Sequence, residues 1–415
     1  MYISSVQLAL QTFRKSKLRT FMTVFGIMIG IAMVIIVLSS GHGVRGLILD
    51  EISSFGDNWI NIEIKVPSAQ KNSSQNASDI ASGVTITTLT KDDLDAIIRF
   101  PNISTGYAGV TSQTVVSYKN EKERPSIFGV SSGYLDIMDA NLDEGRFYTE
   151  GEDASAAQVI VLGYDVRQTL FGNNEAIGEM VKVDGKGYRV VGVMERLGAT
   201  GFFNMDEIVY IPLKTTQRKI MGINHVLWIV VKTVDNTKAT ATAREIEWLM
   251  RDRHEINGGS DKDDFAVTTQ EEALSIVGTI VTGVTWLLIA LSAISLLVGG
   301  VGIMNVMYVS VAERTFEIGL RKAVGAREAD ILKQFLVESI VMTALGGIVG
   351  MIVGIVCSFL IAVGAQYLGL AWPFQVSIFS IVLGVGFSML VGLFFGLYPA
   401  RKAASLDAIV ALRKE

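Results

Sequence analysis

The sequence predicts an α-helical membrane domain of four transmembrane helices, with a large extracytoplasmic α+β domain between the first and second spans. Three observations predict it. Of the 415 residues, 50% are hydrophobic and only 19% are charged. Lys, Arg, Asp and Glu are absent from 20–44, 273–312 and 339–400, runs of 25, 40 and 62 residues. Between the first two runs lies a polar block, 45–272, which holds 23 of the 36 basic and 34 of the 41 acidic residues. A bilayer core about 30 Å thick needs roughly 20 apolar residues per helix. This pattern excludes a soluble enzyme, a disordered chain and a coiled coil.

In chain order, residues 1–17 set Ile3, Val6, Leu10 and Phe13 at helical spacing, with Gln7, Gln11, Arg14 and Lys15 elsewhere. That is the profile of a short amphipathic helix in the inner interface. The first transmembrane helix is placed in 18–44, its apolar stretch at about 18–40. The basic flank of Arg14, Lys15, Lys17 and Arg19 would also suit a signal peptide. The apolar stretch is longer than an h-region of roughly 7–15 residues, however, and Ser39-Ser40-Gly41 is a weak cleavage site, so an uncleaved anchor is expected.

The polar block, 45–272, is expected to form an external domain of two subdomains around its own core. Its stability cannot come from a disulfide, because the single cysteine, Cys357, sits in the longest uncharged run. A helical exit followed by a strand is read over 42–64, and a Ser/Asn-rich surface excursion over 67–83. Strand-like runs at 109–116, 157–162, 188–193, 208–211 and 226–232 alternate with helical patterns at 91–99, 165–171 and 239–253. Asp184-Gly185 and Asn257-Gly258 are turn signals. Markers of chemistry are scarce. His225 and His254 have no metal-binding spacing, and Asp261, Asp263 and Asp264 lack the calcium-loop pattern and read as a solvated loop. No Gly-x-Ser-x-Gly element or Cys-His pair supports catalysis, whereas a binding or force-transmitting domain needs no such marker.

Residues 273–308 read as an external stalk continuing into the second transmembrane helix, which enters the bilayer near Trp286 and spans about 283–308. No Pro or turn cluster divides it into a hairpin. A cytoplasmic loop follows at 309–338. The 62 uncharged residues beyond it would make a single helix of about 93 Å, so that run must fold back. Gln366, Tyr367, Gly369, Trp372 and Pro373 supply the turn, giving a third helix at 339–363, an external turn at 364–376, a fourth helix at 377–398 and a tail at 399–415. The segments 1–19, 313–338 and 401–415 together hold 13 basic and 7 acidic residues, which places both termini and this loop in the cytoplasm of a multi-pass cell-membrane protein. The acidic exterior opposes a nucleic-acid partner.

Gly26 and Gly30, Gly346, Gly350 and Gly354, and Gly392 and Gly396 recur four apart, and predict close helix–helix contacts in lipid. Gly299, Gly300 and Gly302 lighten the second helix in the same way, and Asn305 is expected to cap or bridge helices. No charge lies within the apolar cores, which disfavours an ion or proton pathway. In the cytoplasmic loop, Glu313, Arg314, Glu317, Arg321 and Lys322 interleave with Phe316, Ile318, Leu320 and Val324 before Gly325 breaks the pattern. Such a helix–Gly–helix segment suits docking on a partner protein, or lying on the membrane surface. No Gly-x4-Gly-Lys-Ser/Thr sequence occurs, so a nucleotide site is expected in another chain.

The stretch from Ile294 to Met307 (Ile-Ser-Leu-Leu-Val-Gly-Gly-Val-Gly-Ile-Met-Asn-Val-Met), followed by Ser310 to Ala326, resembles the second span and cytoplasmic loop of MacB-type ABC transporter permeases, in the FtsX-like superfamily. Gly396 to Ala404, Leu406 to Glu415, Asn204 to Pro212, Arg251 to His254 and Asp264-Phe265 are similar to other parts of that family. The resemblance covers essentially the whole chain. It implies a non-catalytic permease subunit that works as a dimer above a cytoplasmic ABC ATPase, with ATP bound by that partner and no cofactor in this chain. Glu313, Arg314, Glu317, Arg321 and Lys322 would then contact the ATPase, and the amphipathic segment would brace the loop. Only about 17 residues precede the first span, so the resemblance is to the split arrangement, with a separate ATPase and an extracytoplasmic membrane-fusion-type adaptor. Lipoprotein-releasing and cell-wall-hydrolase-regulating permeases share this topology, and a membrane sensor is a third class. Export of macrolides or peptides does not follow from these residues.

Overall fold

The computed structural model describes residues 17–54, 56–67, 83–138, 140–197, 199–200, 203–368, 370 and 372–413. The amphipathic segment expected at 1–17 lies outside them but for Lys17, as does nearly all of the excursion expected at 67–83. Two compact units emerge, one of residues 1–46, 278–368 and 372–415, the other of 47–277 and 369–371.

Helix α1 (Lys17–Ser54) passes from the first unit into the second. The external unit then follows as β1 (Trp59–Ile64), α2 (Lys91–Ile97), β2 (Ile103–Gln113), β3 (Val116–Tyr118), β4 (Glu121–Glu123), β5 (Ser126–Val130), β6 (Leu142–Gly145) and β7 (Val159–Leu162). It continues with α3 (Tyr164–Phe171), β8 (Met180–Val183), β9 (Lys186–Met194), β10 (Ile208–Pro212), β11 (Trp228–Thr233), α4 (Ala239–Arg253) and β12 (Phe265–Thr269). These twelve strands join one mixed sheet in the order β12-β1-β11-β2-β5-β10-β7-β9-β8-β3-β4, with β6 paired to β9, while Ala199–Thr200 and Phe203–Asn204 pair separately. Only β5–β10 and β7–β9 are parallel.

Apolar side chains fill separate cores along this sheet. At one end Ile60, Ile62, Val110, Val231 and Val267 pack with Leu94 of α2 and Ile246 and Met250 of α4. Towards the other end Val116, Val181, Val183 and Val190 pack with Val166, Leu170 and Phe171 of α3. Tyr107, Tyr134, Tyr148 and Tyr210 form a further buried cluster, in which the Tyr148 hydroxyl donates to the Val130 carbonyl at 2.8 Å. Burial alternates residue by residue along β1, the two-residue period of a pleated strand.

The helical pattern read at 239–253 is α4, and Asp184-Gly185 forms the β8–β9 turn with both φ angles positive (49° and 76°), as a two-residue hairpin turn of matching twist requires. The strand-like run at 109–116 is divided: β2 ends at Gln113 on β5 and β11, whereas β3 starts at Val116 on β4 and β8. Strands β4, β5, β6, β8 and β12 lie outside the expected runs. They are short, and β12 enters a helix with no turn residue between to mark its end.

The membrane unit is built from α1 up to Gly46, α5 (Gln270–Glu313) from Gly278, α6 (Thr315–Ala323), α7 (Glu328–Tyr367), α8 (Ile378–Ala404) and α9 (Ala408–Arg413). Helix α5, at 44 residues, is about 66 Å long and unbroken. Among the described residues four helices, α1, α5, α7 and α8, are long and apolar enough to cross a bilayer. The 62-residue uncharged run folds back after Tyr367, and Ser377 caps α8 by accepting from the Phe379 amide at 3.2 Å. Ile27, Ile31 and Ile35 of α1 pack with Leu296 and Ile303 of α5, and Phe335 of α7 with Ala400 and Ala403 of α8, in one buried core. Four spans and the distribution of basic residues make this a multi-pass membrane protein with both ends of the chain on the cytoplasmic side.

Candidate functional site

The glycine stripes sit where helices meet. A Cβ on Gly26 would lie 3.0 Å from the Gly299 Cα, and one on Gly30 would collide with the Leu296 side chain, so both lie on the α1–α5 contact. Gly346, Gly350 and Gly354 of α7 face α1, at Ile27, Met28 and Ala32 respectively. Gly392 and Gly396 of α8 face Thr343 and Ser339 of α7, and the Ser339 hydroxyl donates to the Gly392 carbonyl across that seam. Helices in lipid gain little from apolar burial alone, so this close approach supplies the packing that holds them together. Asn305 is exposed on α5 rather than enclosed between helices.

The cytoplasmic segment begins where α5 ends. Arg314 separates α5 from α6, and its guanidinium lies 3.2 Å from the carboxylate of Glu338 on α7. Glu338 is only 2% exposed and the Arg314 side chain 19%. A buried carboxylate without its cation is costly, so this pair fixes the start of α6 against α7. Two turns on, Arg321 donates to Glu317 at 2.6 Å and also to Gln334 of α7. Lys322 donates to the Leu406 carbonyl at 2.8 Å and pairs with Glu328 at 3.3 Å. Gly319 lies against Ala411 of α9, and Ile318 is buried beneath. Gly325, at φ +101°, ends the segment, with the Gly325 and Ala326 amides returning to the Lys322 and Arg321 carbonyls.

Of the five charged residues singled out in this loop, Arg314, Glu317, Arg321 and Lys322 make the ion pairs and hydrogen bonds just described, and the Glu313 residue is exposed at the surface. Arg314, Glu317, Ile318, Arg321, Ile331, Gln334 and Phe335 line a shallow cleft between α6 and α7. The outward stripe of α6 is apolar: Phe316, Leu320 and Val324 are 57%, 51% and 84% exposed. Ile409 and Val410 of the adjoining α9 are exposed too. Glu338 was the residue that sequence reasoning passed over. Its signal was a lone acid at the mouth of a 62-residue uncharged run, 24 positions after an arginine.

In the external unit the Asp261–Asp264 stretch departs from the solvated loop expected of it. Asp263 takes a bidentate bond from Arg251, at 2.8 and 2.6 Å, and its side chain is 7% exposed. Asp264 lies 2.9 Å from His254 Nδ1, and Asp93 of α2 lies 3.6 Å from His254 Nε2 and 2.6 Å from Arg253. Burial by itself would depress the His254 pKa, but the bonds and charges of Asp264 and Asp93 outweigh it and raise it to about 9. Burial pushes Asp93 up, and its bonds to His254, Arg253 and Thr90 bring it down to about 2. Asp264 is also lowered, its burial outweighed chiefly by the His254 bond. This charged cluster ties α2, the end of α4 and the start of β12 together. His225 is a core residue whose pKa burial lowers. Among the described residues no group of three His, Cys, Asp or Glu side chains is arranged to hold a metal ion.

The ends of β12 and β1 give the external unit a joint. Gly56 and Asn58, both at positive φ (81° and 62°), turn the chain from α1 into β1. A Cβ on Gly56 would meet the Ile137 carbonyl oxygen at 2.0 Å, so only glycine fits there. Strand β12 pairs antiparallel with β1, Ile60 opposite Thr269, and runs directly into α5 at Gln270.

Comparison with known proteins follows this division of the chain. Residues 20–248 match the MacB-like periplasmic core domain family, and residues 289–408 match the FtsX-like permease C-terminal family. A macrolide export ATP-binding/permease protein MacB of Wolinella succinogenes is 36% identical over 412 residues, covering 99% of this chain and 61% of that protein. The protein of the same name from Chlorobaculum tepidum is 36% identical over 409 residues, covering 98% of this chain and 61% of its own length. The chain therefore spans less than two thirds of the length of these relatives. The solved periplasmic region of MacB from Actinobacillus actinomycetemcomitans aligns over 56% of this chain and 97% of its own, at 23% identity and a TM-score of 0.46. With one family matching more than half of its residues and a second matching its last three spans, the chain belongs to the family of membrane proteins built on a MacB-like periplasmic core domain and an FtsX-like permease region.

Proposed function

We propose that this chain is the non-catalytic permease part of an ABC-type exporter, moving an external domain by ATP-driven rearrangement of its helices. The observation that carries this reading is the joint just described. Helices α1 and α5 are each continuous through the boundary of the membrane unit, and each ends on one of two adjacent strands of the external sheet. A displacement of α5 along its axis acts directly on that sheet, and one of α1 acts on it through the short Gly56–Asn58 link. Helices transmit such displacement because their hydrogen-bonded backbones resist compression, and packed interfaces shift between discrete arrangements. The absence of any acidic or basic residue from 20–44, 273–312 and 339–400 supports transmission of force over conduction of an ion.

ATP would be bound and hydrolysed by an ABC ATPase lying outside these 415 residues, against the cytoplasmic segment. The apolar stripe of Phe316, Leu320 and Val324 supports docking there, with the Arg314–Glu338 pair holding the segment rigid and Glu313 at its edge. A dimer of this chain over two ATPase units, and an external adaptor of the membrane-fusion type, complete the assembly in this reading. The domain layout is that of the sequence: amphipathic segment 1–17, first span 18–44, external domain 45–272, stalk and second span 273–308, coupling segment 309–338, and the last two spans at 339–363 and 377–398. Export, as a class of activity with no substrate attached, is inferred from the likeness to macrolide export proteins. Purification from the native membrane tests it. An ABC ATPase that copurifies, and whose ATP turnover this chain alters, is the expected result; a chain that supports its cellular role with no such ATPase present would refute the proposal.

A further inference from the structure

The Gln270 side chain occupies the joint between the two helices that enter the external unit. Gln270 is the first residue of α5, and its amide reaches across to the link between α1 and β1. Its Oε1 accepts from the Asn58 amide at 2.8 Å, and its Nε2 donates to the Gly56 carbonyl at 3.4 Å. The Asn58 carbonyl is held in turn by the Thr233 amide at 2.8 Å and the Thr233 hydroxyl at 3.0 Å, from the end of β11. Thr269 caps the new helix by accepting from the Glu272 amide at 3.2 Å. One side chain thus satisfies backbone groups in a link that left-handed residues have taken out of both helix and sheet.

The geometry points to Gln270 as the positioning residue that makes α1 and α5 move the external sheet as one body. Without it, α1 and α5 would still be connected through the β1–β12 ladder, but the link at 56–58 could absorb a displacement of α1 by changing its own dihedrals. A hinge needs only a few such residues. With the amide in place, the link is clamped to the start of α5 and the displacement passes to β1 and β12 together. This inference rests on the mechanical reading above and names the residue through which that mechanism works.

The test uses the full chain with its ATPase in lipid nanodiscs, comparing wild type, Gln270→Leu and Gln270→Glu. Hydrogen exchange of peptides covering 56–64 and 265–272 is followed without nucleotide and with the ATPase trapped by vanadate. Leu keeps the volume and removes both hydrogen bonds; Glu keeps the oxygen that accepts from Asn58. In Gln270→Leu the Asn58 amide is expected to exchange about tenfold faster, as for loss of one structural hydrogen bond. The difference between nucleotide states over 56–64 is expected to vanish while ATP turnover stays within about twofold of wild type, since the ATPase is untouched. Gln270→Glu is expected to restore both the protection and the nucleotide response. A Gln270→Leu protein that keeps the full nucleotide response overturns the inference, as does one that loses ATPase binding together with the response. A wild type that shows no nucleotide response at all refutes instead the mechanical reading on which the inference rests.

Discussion

Glu338 illustrates how a single residue decides what a loop can do. Its carboxylate is buried at the cytoplasmic end of α7 and neutralised by Arg314, so the two residues act as one unit. Replacing Glu338 by Ala takes a buried carboxylate away from the half-buried Arg314 guanidinium, and is expected to cost roughly 2 kcal/mol of stability. The double replacement Arg314→Met with Glu338→Leu is expected to recover most of that loss, because it removes both charges and keeps apolar volume in their place. Thermal unfolding of the detergent-solubilised protein checks both. By the same reasoning Arg314→Ala is expected to weaken ATPase association by loosening the segment.

His254 sets a pH window at the same scale. Its folded pKa of about 9 lies above its ordinary 6.5, so its contribution is full below pH 6.5 and is lost as pH rises through 9. Asp93 runs the other way: at about 2 against 3.8, its contribution is full above pH 3.8 and is lost as pH falls through 2. The cluster therefore contributes most between pH 3.8 and 6.5. His254→Gln is expected to flatten the decline in external-unit stability between pH 6.5 and 9, measured by exchange at β12. An unchanged slope would mean that the histidine does not titrate as its partners dictate.

At the scale of elements, the spans and much of the sheet were legible in the sequence because each signal is local. An uncharged run of 25 to 62 residues has no other home than lipid, and four-residue glycine spacing has few uses outside helix contacts. Gly350 makes the packing testable: a Cβ there would sit 2.6 Å from the Met28 carbonyl oxygen, so Gly350→Leu is expected to push α1 from α7 and lower the unfolding temperature. What escaped reading depended on long-range partners. Asp263 and Asp264 look like loop acids until Arg251 and His254 arrive from α4. Strand β12 is only five residues long and derives its place from β1, more than 200 positions earlier. The charges of the loop looked like the docking contact, yet the fold pairs Arg314, Glu317, Arg321 and Lys322 within the chain and leaves Phe316, Leu320 and Val324 facing out. Phe316→Asp with Leu320→Asp is expected to reduce ATPase association at least about tenfold, as loss of apolar anchors does, without changing thermal stability. Retained association would move the docking face elsewhere.

For the molecule as a whole, the proposed mechanism is mechanical, with ATP chemistry in a cytoplasmic partner driving an external sheet through continuous helices. Its most direct test is the reactivity of one cysteine placed at exposed Asp57, between α1 and β1, with the native Cys357 replaced by Ser. A membrane-impermeant maleimide is added from outside to the reconstituted complex with its ATPase. The account predicts labelling from outside, at a rate that changes severalfold between the nucleotide-free and vanadate-trapped states. Identical rates in both states of a hydrolysing complex, or labelling only from the cytoplasmic side, would contradict it.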